Sequence, residues 1–390
     1  MPIGLALLLC LALPTGIAHA QANAPALSRT VVLQDLERPW DVAFIPDGAM
    51  LFTEKCRGLS VRRPDGTVQR LFGAKGAALL AEDLHCEGQS GANGVAVDPD
   101  FRSNRTVYLY MSSSIGGAVN NRVVRLVVDP GYTSVARRQD IVADIPYKRI
   151  AAPVGGAGAH SGGRIRFGPD GFLYVTTGDN HNPTLPQNLK ALGGKVLRID
   201  RDGNPAPGNN TPAGGDPRIY TYGHRNVQGI DFRPGSGQPF ITEHGPNHSD
   251  EVTPLVPGGN GGWDPKDRPN LNCPGGYCGY AGNPQTMPMT DTERFPNAMR
   301  PSWTNNANSQ GLSPAAFLSG PAWKGWNGRL AVGLMRGTRV EVLTLDAKGM
   351  TVSHSRMDLP RNRMRSLVIG PDHDLYVVVD EGEIWKVSPK

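Results

Sequence analysis

The chain has 390 residues, of which 49 are glycine and 34 are proline, and 39% are apolar. This composition favours many short strands joined by tight turns over long helices, and the length allows one large β domain or two ordinary ones. The net charge of +5 comes from basic residues that are scattered along the chain, which argues against nucleic acid as a partner.

The first twenty residues have the pattern of a secretory signal peptide. Leu5 to Leu13 is an apolar run that Pro14 breaks, and Ala18-His19-Ala20 matches an A-x-A cleavage site. We therefore predict a signal peptide over residues 1–20 and a mature domain over residues 21–390, in a periplasmic or secreted protein. No later segment approaches the roughly 18 consecutive apolar residues of a membrane-spanning helix, so no membrane span is predicted.

The cysteines are predicted to form two disulfides. Five are present and Cys10 lies in the predicted signal peptide, which leaves the four at Cys56, Cys86, Cys273 and Cys278. An even number of cysteines in an exported chain favours disulfides. We predict one bond between Cys273 and Cys278 across "CPGGYC" and one between Cys56 and Cys86. A metal site is the alternative, but the chain has no C-x-x-C pair to support it.

A strand–turn–strand pattern recurs six times along the chain. In each copy a strand ends in Pro-Asp-Gly or a similar turn, a more apolar strand follows, and a third strand often carries Arg or Lys among valines and leucines. The copies begin near Trp40, Asn93, Ala159, Val227, Phe317 and Met364. Repeats of three or four strands are typical of propeller blades. The sequence therefore predicts an all-β fold, a single six-bladed β-propeller.

Two further segments complete this prediction. The early strand "TVVLQDL", residues 30–36, has no hairpin of its own, and we expect it to complete the last blade and close the ring. The segment from Asp264 to Gln310 is long and irregular, and such segments in compact domains are usually functional. We predict that it is a disulfide-pinned loop insertion over one face.

Polar residues precede the inner strand of five copies. Loops at one end of the innermost strands of a propeller meet over the central channel, so these side chains are predicted to converge. They are Gln89, His160, Arg225 with Asn226, Trp303 with Thr304, and Arg363 with Arg365, and Asp179 with Asn180 are added from the end of a second strand. Each alone is weak evidence, since a lone loop histidine is usually structural. Together they predict one polar site.

The residue types indicate the chemistry of this site. His160 is the natural general base because its pKa lies nearest neutrality, and Asp179 can hold its imidazole in one tautomer. Several arginines around one axis suit a ligand with several carboxylates. In "EHGPNHSDEV" the turn Gly245-Pro246 offers backbone carbonyls to a hard cation such as Ca²⁺.

Other metal arrangements in the same stretch stay open. Asp250 and Glu251 are candidates for the same ion or a second one. His244 and His248 have the i, i+4 spacing of a zinc site, which requires a helix. The Gly-Pro between them argues against a helix.

The chain resembles the soluble pyrroloquinoline quinone (PQQ)-dependent glucose/sorbosone dehydrogenase family, and within it the aldose sugar dehydrogenases. The resemblance rests on "HSGGRIRFGPDGFLYVTTGD", "YGHRNVQG", "EHGPNHSDEV" and "NRMRSLVIGPDHDLYVVVDEGEIWKV", and it covers nearly the whole mature chain. The most specific part is "GHRN-x-QG" followed by "E-x-GP".

The resemblance implies PQQ over the central channel, held by Ca²⁺, and it implies a role for each candidate residue. The catalytic set is His160 as the base, Asp179 as its partner and Arg225 beside the reacting centre. The cofactor-binding set is Gln89, Asn226, Arg336, Arg363 and Arg365, and the calcium ligands are the carbonyls of Gly245 and Pro246. His160 would remove the anomeric proton as hydride passes from sugar C1 to PQQ, giving a lactone and the quinol.

Three departures from the family pattern bear on this assignment. "GLMRG" has Met335 where glucose dehydrogenases place a cofactor-binding lysine, and Arg336 beside it is the expected substitute. "GQSGANG" replaces the commoner Gly-Leu-Leu form after Gln89. The segment from Ser302 to Ser313 looks longer than its counterparts, so Thr304 has no safe alignment.

Two other functions remain as alternatives. A calcium-dependent sugar-lactone hydrolase on a similar propeller would need an acidic metal cage from several blades. A non-catalytic carbohydrate- or protein-binding propeller would need neither a His–Asp pair nor several arginines aimed at one axis. The main interpretation needs an aldose substrate and an external electron acceptor, either a soluble quinone or a separate redox protein, because the chain has no C-x-x-C-H haem motif.

Overall fold

A computed structural model describes residues 24–149, 154–269, 271–305 and 307–390. The predicted signal peptide and its cleavage site lie outside the described residues. Within those ranges, no helix has both the length and the apolar character needed to cross a membrane.

The described residues form six mainly antiparallel sheets of four or five strands. The innermost strand of each sheet contacts the innermost strands of the sheets on either side, so the sheets close into a ring. The predicted all-β, six-bladed β-propeller is thereby confirmed. The only α-helix of the described residues is the single turn α1 (Phe101–Asn104), and two 3₁₀ helices span Pro274–Gly276 and Pro321–Trp326.

The strands follow the blades in chain order after β1 (Leu27–Leu33). The first blade contains β2 (Pro39–Phe44), β3 (Met50–Glu54), β4 (Gly58–Arg62), β5 (Val68–Gly73) and β6 (Leu79–Leu80). The second contains β7 (Ala92–Val97), β8 (Thr106–Ile115), β9 (Ala118–Val128) and β10 (Val135–Ile145). The third contains β11 (Ile165–Phe167), β12 (Leu173–Thr176), β13 (Lys195–Ile199), β14 (Ile219–Tyr222) and the later β18 (Gly259–Asn260).

The remaining three blades complete the ring. The fourth contains β15 (Val227–Phe232), β16 (Pro239–Glu243), β17 (Glu251–Pro254) and β19 (Trp303–Thr304). The fifth contains β20 (Leu312–Phe317), β21 (Leu330–Leu334), β22 (Arg339–Leu345) and β23 (Thr351–Arg356). The sixth contains β24 (Met364–Ile369), β25 (Leu375–Val379), β26 (Glu383–Pro389) and β1.

The sixth blade closes the ring by joining the two ends of the described chain. Strand β1 pairs antiparallel with β26, with Leu27 opposite Pro389 and Val31 opposite Trp385. The sequence correctly predicted this closure, although the strand begins at Leu27 rather than Thr30. Backbone hydrogen bonds between the first and last strands tie the ring shut.

Apolar side chains fill the spaces between neighbouring blades. One cluster joins Leu51 and Leu59 of the first blade to Val107 and Leu109 of the second, all fully buried. Such continuous burial between sheets stabilises the ring at roughly 25 cal/mol for each Å² of apolar surface removed from water. The centre of the ring is polar instead.

A buried carboxylate organises that polar centre. Asp41 on β2 accepts from Arg164 at 2.6 Å and from Arg166 on β11 at 2.7 Å. Ser366 on β24 also donates to Asp41, at 2.7 Å. Inner strands of the first, third and sixth blades are therefore joined across the channel.

Both predicted disulfides are present. Cys56 is bonded to Cys86, and Cys273 is bonded to Cys278. The second bond lies within the long irregular segment after Asp264, which contains one 3₁₀ helix before it reaches β19. The segment therefore has the disulfide-pinned character predicted for it, but it also supplies β19, an outer strand of the fourth blade.

Candidate active site

One cavity of about 400 Å³ collects residues that precede inner strands or follow second strands of the blades. It is lined by Trp40, Lys55, Gln89, Asn93, Gly158, His160, Ser161, Gly162, Arg225, Asn226, Gln228, His244, Gly245, Pro246, Tyr280, Ser309, Gly311, Met335, Arg336, Arg363 and Arg365. The set contains every residue to which the family resemblance gives a role except Asp179. Three other metal candidates of the sequence analysis, His248, Asp250 and Glu251, are not in it. Asp179 lies directly behind His160.

His160 and Asp179 form a buried pair. The Nδ1 atom of His160 lies 2.6 Å from Oδ1 of Asp179, and both side chains are almost fully buried. Asp179 therefore holds the proton of the imidazole on Nδ1, which leaves Nε2 as the basic atom. This arrangement is that of a general base with an orienting carboxylate.

The carboxylate of Asp179 is held by further donors. The indole of Trp263 and the hydroxyl of Tyr277 each donate to Oδ2 at 2.9 Å, and the backbone N–H of His181 donates to Oδ1 at 2.9 Å. Trp263 and Tyr277 belong to the long connection between β17 and β19. That connection therefore supports the base from behind.

Two glycines allow the backbone segments that carry this pair to approach each other. His160 and Asp179 flank the β11–β12 hairpin, and a Cβ on Gly178 would lie 2.0 Å from the carbonyl oxygen of His160. Gly162 has a φ of +65°, and a Cβ there would lie 2.5 Å from the Cα of Thr177. Only residues without a Cβ permit this spacing.

The surroundings keep His160 neutral. Burial lowers the pKa of His160 well below its usual value, and the positive charge of Arg225 lowers it further. Burial raises the pKa of Asp179, while Arg225 and the hydrogen bond from Trp263 oppose that rise. The imidazole is consequently available as a proton acceptor.

A second histidine and a tyrosine cover the base. The rings of His160 and His181 lie 3.7 Å apart between centroids. The hydroxyl of Tyr280 lies 3.4 Å from Nε2 of His160 and 3.0 Å from Nε2 of His181. Burial and the neighbouring His160 lower the pKa of His181 to about 2.

Arg225 and Asn226 are positioned by a shared carboxylate. Glu243 accepts from the backbone N–H groups of both residues, and Arg225 donates to the carbonyl of His244 at 2.9 Å. Within the described part of the chain, the buried Nε of Arg225 has no hydrogen-bond partner. The amide oxygen of Asn226 accepts from the N–H of Gly162 at 3.2 Å.

The last two predicted arginines share one carboxylate. Asp380 accepts from Arg363 at 3.0 Å and from Arg365 at 2.7 and 2.9 Å. Arg336 lines the cavity from the fifth blade, next to Met335. The cavity is thus cationic on several sides.

The Gly245-Pro246 turn lies at the cavity wall. Asp250 supports it by accepting from the N–H of Gly245 at 2.9 Å, and also accepts from Ser309 and from the N–H of Gln310, both at 2.6 Å. Asp250, which was predicted as a possible ion ligand, is therefore already hydrogen-bonded to protein donors.

The other metal candidates of this stretch do not form a cluster. Glu251 accepts from Thr290 at 2.8 Å, and the stretch between His244 and His248 is not helical. Among the described residues, the only cluster of three possible ligands is Asp267 with the disulfide-bonded Cys273 and Cys278. The helical zinc arrangement is therefore absent from this stretch.

Several site residues were not predicted from the sequence, and two predicted residues lie elsewhere. Lys55 and Tyr280 line the cavity, and Trp263 and Tyr277 donate to Asp179 behind it. These four carried no repeat-position signal, because they follow a second strand or lie in the irregular connection. Trp303 and Thr304 were predicted to face the channel, but they form β19 on the outer side of the fourth blade. Ser309 and Gly311 are the residues ahead of β20 that line the cavity.

Fold and site together define a class of protein, a six-bladed β-propeller with a buried His–Asp pair at a cationic cavity. The sequence model of the Glucose / Sorbosone dehydrogenase family matches residues 36–386. The chain therefore belongs to the glucose/sorbosone dehydrogenase family, as its motifs predicted.

Individual relatives match this protein over almost its whole chain. Aldose sugar dehydrogenase YliI of Escherichia coli (strain K12) is 29% identical, and the match covers 96% of each chain. The apo form of the soluble aldose sugar dehydrogenase of Escherichia coli is similar in structure, with a TM-score of 0.77 and 26% identity over 94% of this chain and 100% of that one. The PQQ-bound aldose sugar dehydrogenase of Streptomyces coelicolor has a TM-score of 0.71 and 25% identity over 94% and 100%.

Proposed function

We propose that this protein oxidises aldose sugars at C1 to the lactone, with PQQ and Ca²⁺ as cofactors. The observation that carries the proposal is the buried His160–Asp179 pair at the wall of a cavity whose charged lining, in the described chain, is entirely cationic. The PQQ-bound relative from Streptomyces coelicolor supports the choice of cofactor.

The residues at the cavity fit a polycarboxylate quinone. Arg336, Arg363 and Arg365 line it from the fifth and sixth blades, and guanidinium groups bind carboxylates with two parallel hydrogen bonds. The Nε of Arg225, which has no hydrogen-bond partner among the described residues, is a further donor available to a bound acceptor. Gln89 and Asn226 would contribute amide hydrogen bonds to the same ligand.

The Gly245-Pro246 turn would hold the calcium ion. Both residues line the cavity. The N–H of Gly245 donates to Asp250, but neither carbonyl oxygen accepts a hydrogen bond from the described residues. Neutral carbonyl oxygens are suitable Ca²⁺ ligands when an anionic ligand supplies the charge. Asp250 would fix the turn from behind.

The protein residues would divide the chemistry between them. When bound, PQQ accepts the two electrons of the sugar as hydride from C1. His160 Nε2 takes the proton of the anomeric hydroxyl, and Asp179 stabilises the imidazolium that results. Arg225 lies beside the base and would stabilise negative charge that develops on the sugar oxygen. Tyr280 must give up its contact with Nε2 when the substrate hydroxyl arrives.

The two alternatives fit these residues less well. A calcium-dependent hydrolase would use a carboxylate cage, whereas the described lining of the cavity contains no Asp or Glu. A purely binding propeller has no need of a base held at 2.6 Å by a carboxylate that accepts three further hydrogen bonds.

Location and electron acceptor follow from the same proposal. We infer that cleavage after Ala20 releases a single-domain enzyme to the periplasm or the medium. The electrons would then pass to a soluble quinone or to a separate redox protein.

Reconstitution tests the proposal. PQQ and Ca²⁺ are added to the purified apo-protein, and dye reduction is followed with a panel of aldoses, with each cofactor omitted in turn. Activity should need both additions and should be lost in His160→Ala, while His248→Ala, a histidine outside the cavity lining, should keep it. Failure of the apo-protein to bind PQQ, or dye reduction that persists in His160→Ala, would overturn it.

A further inference from the structure

Five cations line the cavity, and its lining among the described residues contains no carboxylate. Asp380, outside the lining, binds two of the five, Arg363 and Arg365. The sequence motifs account for Arg225, Arg336, Arg363 and Arg365. They do not account for Lys55, which reaches the same cavity from the first blade.

The position of Lys55 is tightly fixed. It follows β3 directly, and only 8% of its surface is exposed. Its carbonyl accepts from Ala92 N–H at 2.8 Å, and its ammonium donates to the carbonyl of Gly88 at 2.5 Å. The next residue, Cys56, is bonded to Cys86. The disulfide therefore ties Lys55 to the loop that carries Gln89.

The ammonium of Lys55 has donors to spare. A lysine offers three N–H donors, and one bond, to Gly88, is formed with the described residues. Its carboxylate neighbour Asp380 is already bound by Arg363 and Arg365. A buried cation without a carboxylate partner is costly in free energy, and an anionic ligand in the cavity would remove that cost.

We propose that Lys55 is a cofactor-binding residue whose ammonium binds an anionic oxygen of the polycarboxylate quinone on the first-blade side of the cavity. This inference rests on the proposed function, because it takes PQQ as the ligand. It adds a fifth cationic contact to the four arginines.

Proton linkage follows from the surroundings of Lys55. Burial, together with the charges of Arg365 and Arg38, lowers the pKa of Lys55 to about 8, and Asp380 opposes this change. Above that pH the free protein holds a neutral amine. A bound anion raises the pKa of the amine again, so binding of PQQ takes up a proton from solvent.

The first experiment compares PQQ affinities by titration calorimetry with apo-protein and Ca²⁺ at pH 7. Lys55→Met should weaken binding roughly tenfold to a hundredfold, the usual worth of a charged hydrogen bond. Lys148→Met is the matched control, since Lys148 is also buried but lines a different cavity. Its affinity should equal that of the wild type.

The second experiment uses the wild-type protein and does not depend on a variant that folds. PQQ is titrated into the protein at about pH 8.5 in buffers of different ionisation enthalpy, and the titration should reveal proton uptake on binding. The uptake should be smaller at about pH 6.5, because Lys55 is already charged there. Wild-type affinity in a folded Lys55→Met protein, or equal proton uptake at both pH values, would overturn the role of Lys55. Failure of the wild type to bind PQQ would instead overturn the proposed function, and this inference with it.

Discussion

Asp179 is the residue on which the proposed base depends. Its side chain accepts from His160, Trp263 and Tyr277, and it is fully buried. In Asp179→Asn the amide can offer its N–H to Nδ1 of His160, which would place the imidazole proton on Nε2 and remove the base. We expect kcat to fall by roughly 10²- to 10⁴-fold, while PQQ affinity changes little.

Steady-state dye reduction and calorimetry of PQQ binding check this prediction. Asp170→Asn is the control, because Asp170 lies at the other end of the same hairpin, where it binds Arg198 and Tyr174. A kcat in Asp179→Asn that matches the Asp170→Asn control would contradict the orienting role.

The protonation state of His160 gives a second prediction at this scale. Because burial and the charge of Arg225 lower its pKa, His160 should stay neutral in the apo-protein as the pH falls below 6.5, the ordinary value. Selective ¹⁵N-histidine NMR of apo-protein measures this, with the signal assigned by its loss in His160→Gln. Arg225→Gln should raise the pKa. A titration midpoint at or above 6.5 in the wild type would contradict the description of the site.

The β11–β12 hairpin is the element that delivers both members of the pair. Because a Cβ on Gly178 would lie 2.0 Å from the carbonyl oxygen of His160, Gly178→Ala must push the two flanking segments apart. We expect a loss of stability of about 1–3 kcal/mol from this overpacking and a large fall in kcat.

A second glycine of the same hairpin serves as the control. Gly171 lies in the turn, with a φ of +78° and no atom within 4 Å of an added Cβ. Gly171→Ala should cost about 1–2 kcal/mol through backbone strain alone and leave kcat unchanged. Thermal unfolding and steady-state kinetics of both variants separate the two effects, and equal kcat values would show that the close approach has no catalytic role.

The elements also show what sequence reasoning could reach. Turn residues and alternating apolar positions predicted all six blades, and repeat positions placed Gln89, His160, Arg225 and Arg365 at one cavity. Trp263, Tyr277 and Tyr280 were out of reach, because an irregular connection has no period that fixes where its side chains point. Trp303 and Thr304 were misplaced for a related reason, since the connection supplies the outer strand of the fourth blade before it returns to the channel.

At the scale of the whole molecule, two devices close the ring. One is the pairing of β1 with β26, which makes the sixth blade from both ends of the described chain. The other is the central network, in which Arg164 also donates to the carbonyls of Gln228 and Arg365 at 3.2 and 2.8 Å. The cavity residues Gln228 and Arg365 are therefore held by Arg164, the same buried cation that binds Asp41. The geometry of the site and the closure of the ring are thus coupled.

The network gives a prediction for the stability of the whole propeller. Burial alone would raise the pKa of Asp41, but the charges of Arg164 and Arg166 hold it below the usual 3.8. Asp41→Asn leaves two buried guanidinium groups without their carboxylate, which should lower the free energy of unfolding by about 3–5 kcal/mol at pH 7.

The sign of the pH dependence follows from that lowered pKa. The stability that Asp41 contributes is present above pH 3.8 and is lost as the pH falls through the folded-state value, so wild type and Asp41→Asn should converge in acid. Asp231 is the matched control, because burial raises its pKa to about 6 and its charge therefore opposes folding at pH 7. Asp231→Asn should cost little or be stabilising, with a difference from wild type that also shrinks in acid. Urea unfolding of the three proteins between pH 7 and pH 2 measures both differences. A gap between wild type and Asp41→Asn that stays constant below pH 3.8 would show that the central carboxylate does not act through its charge.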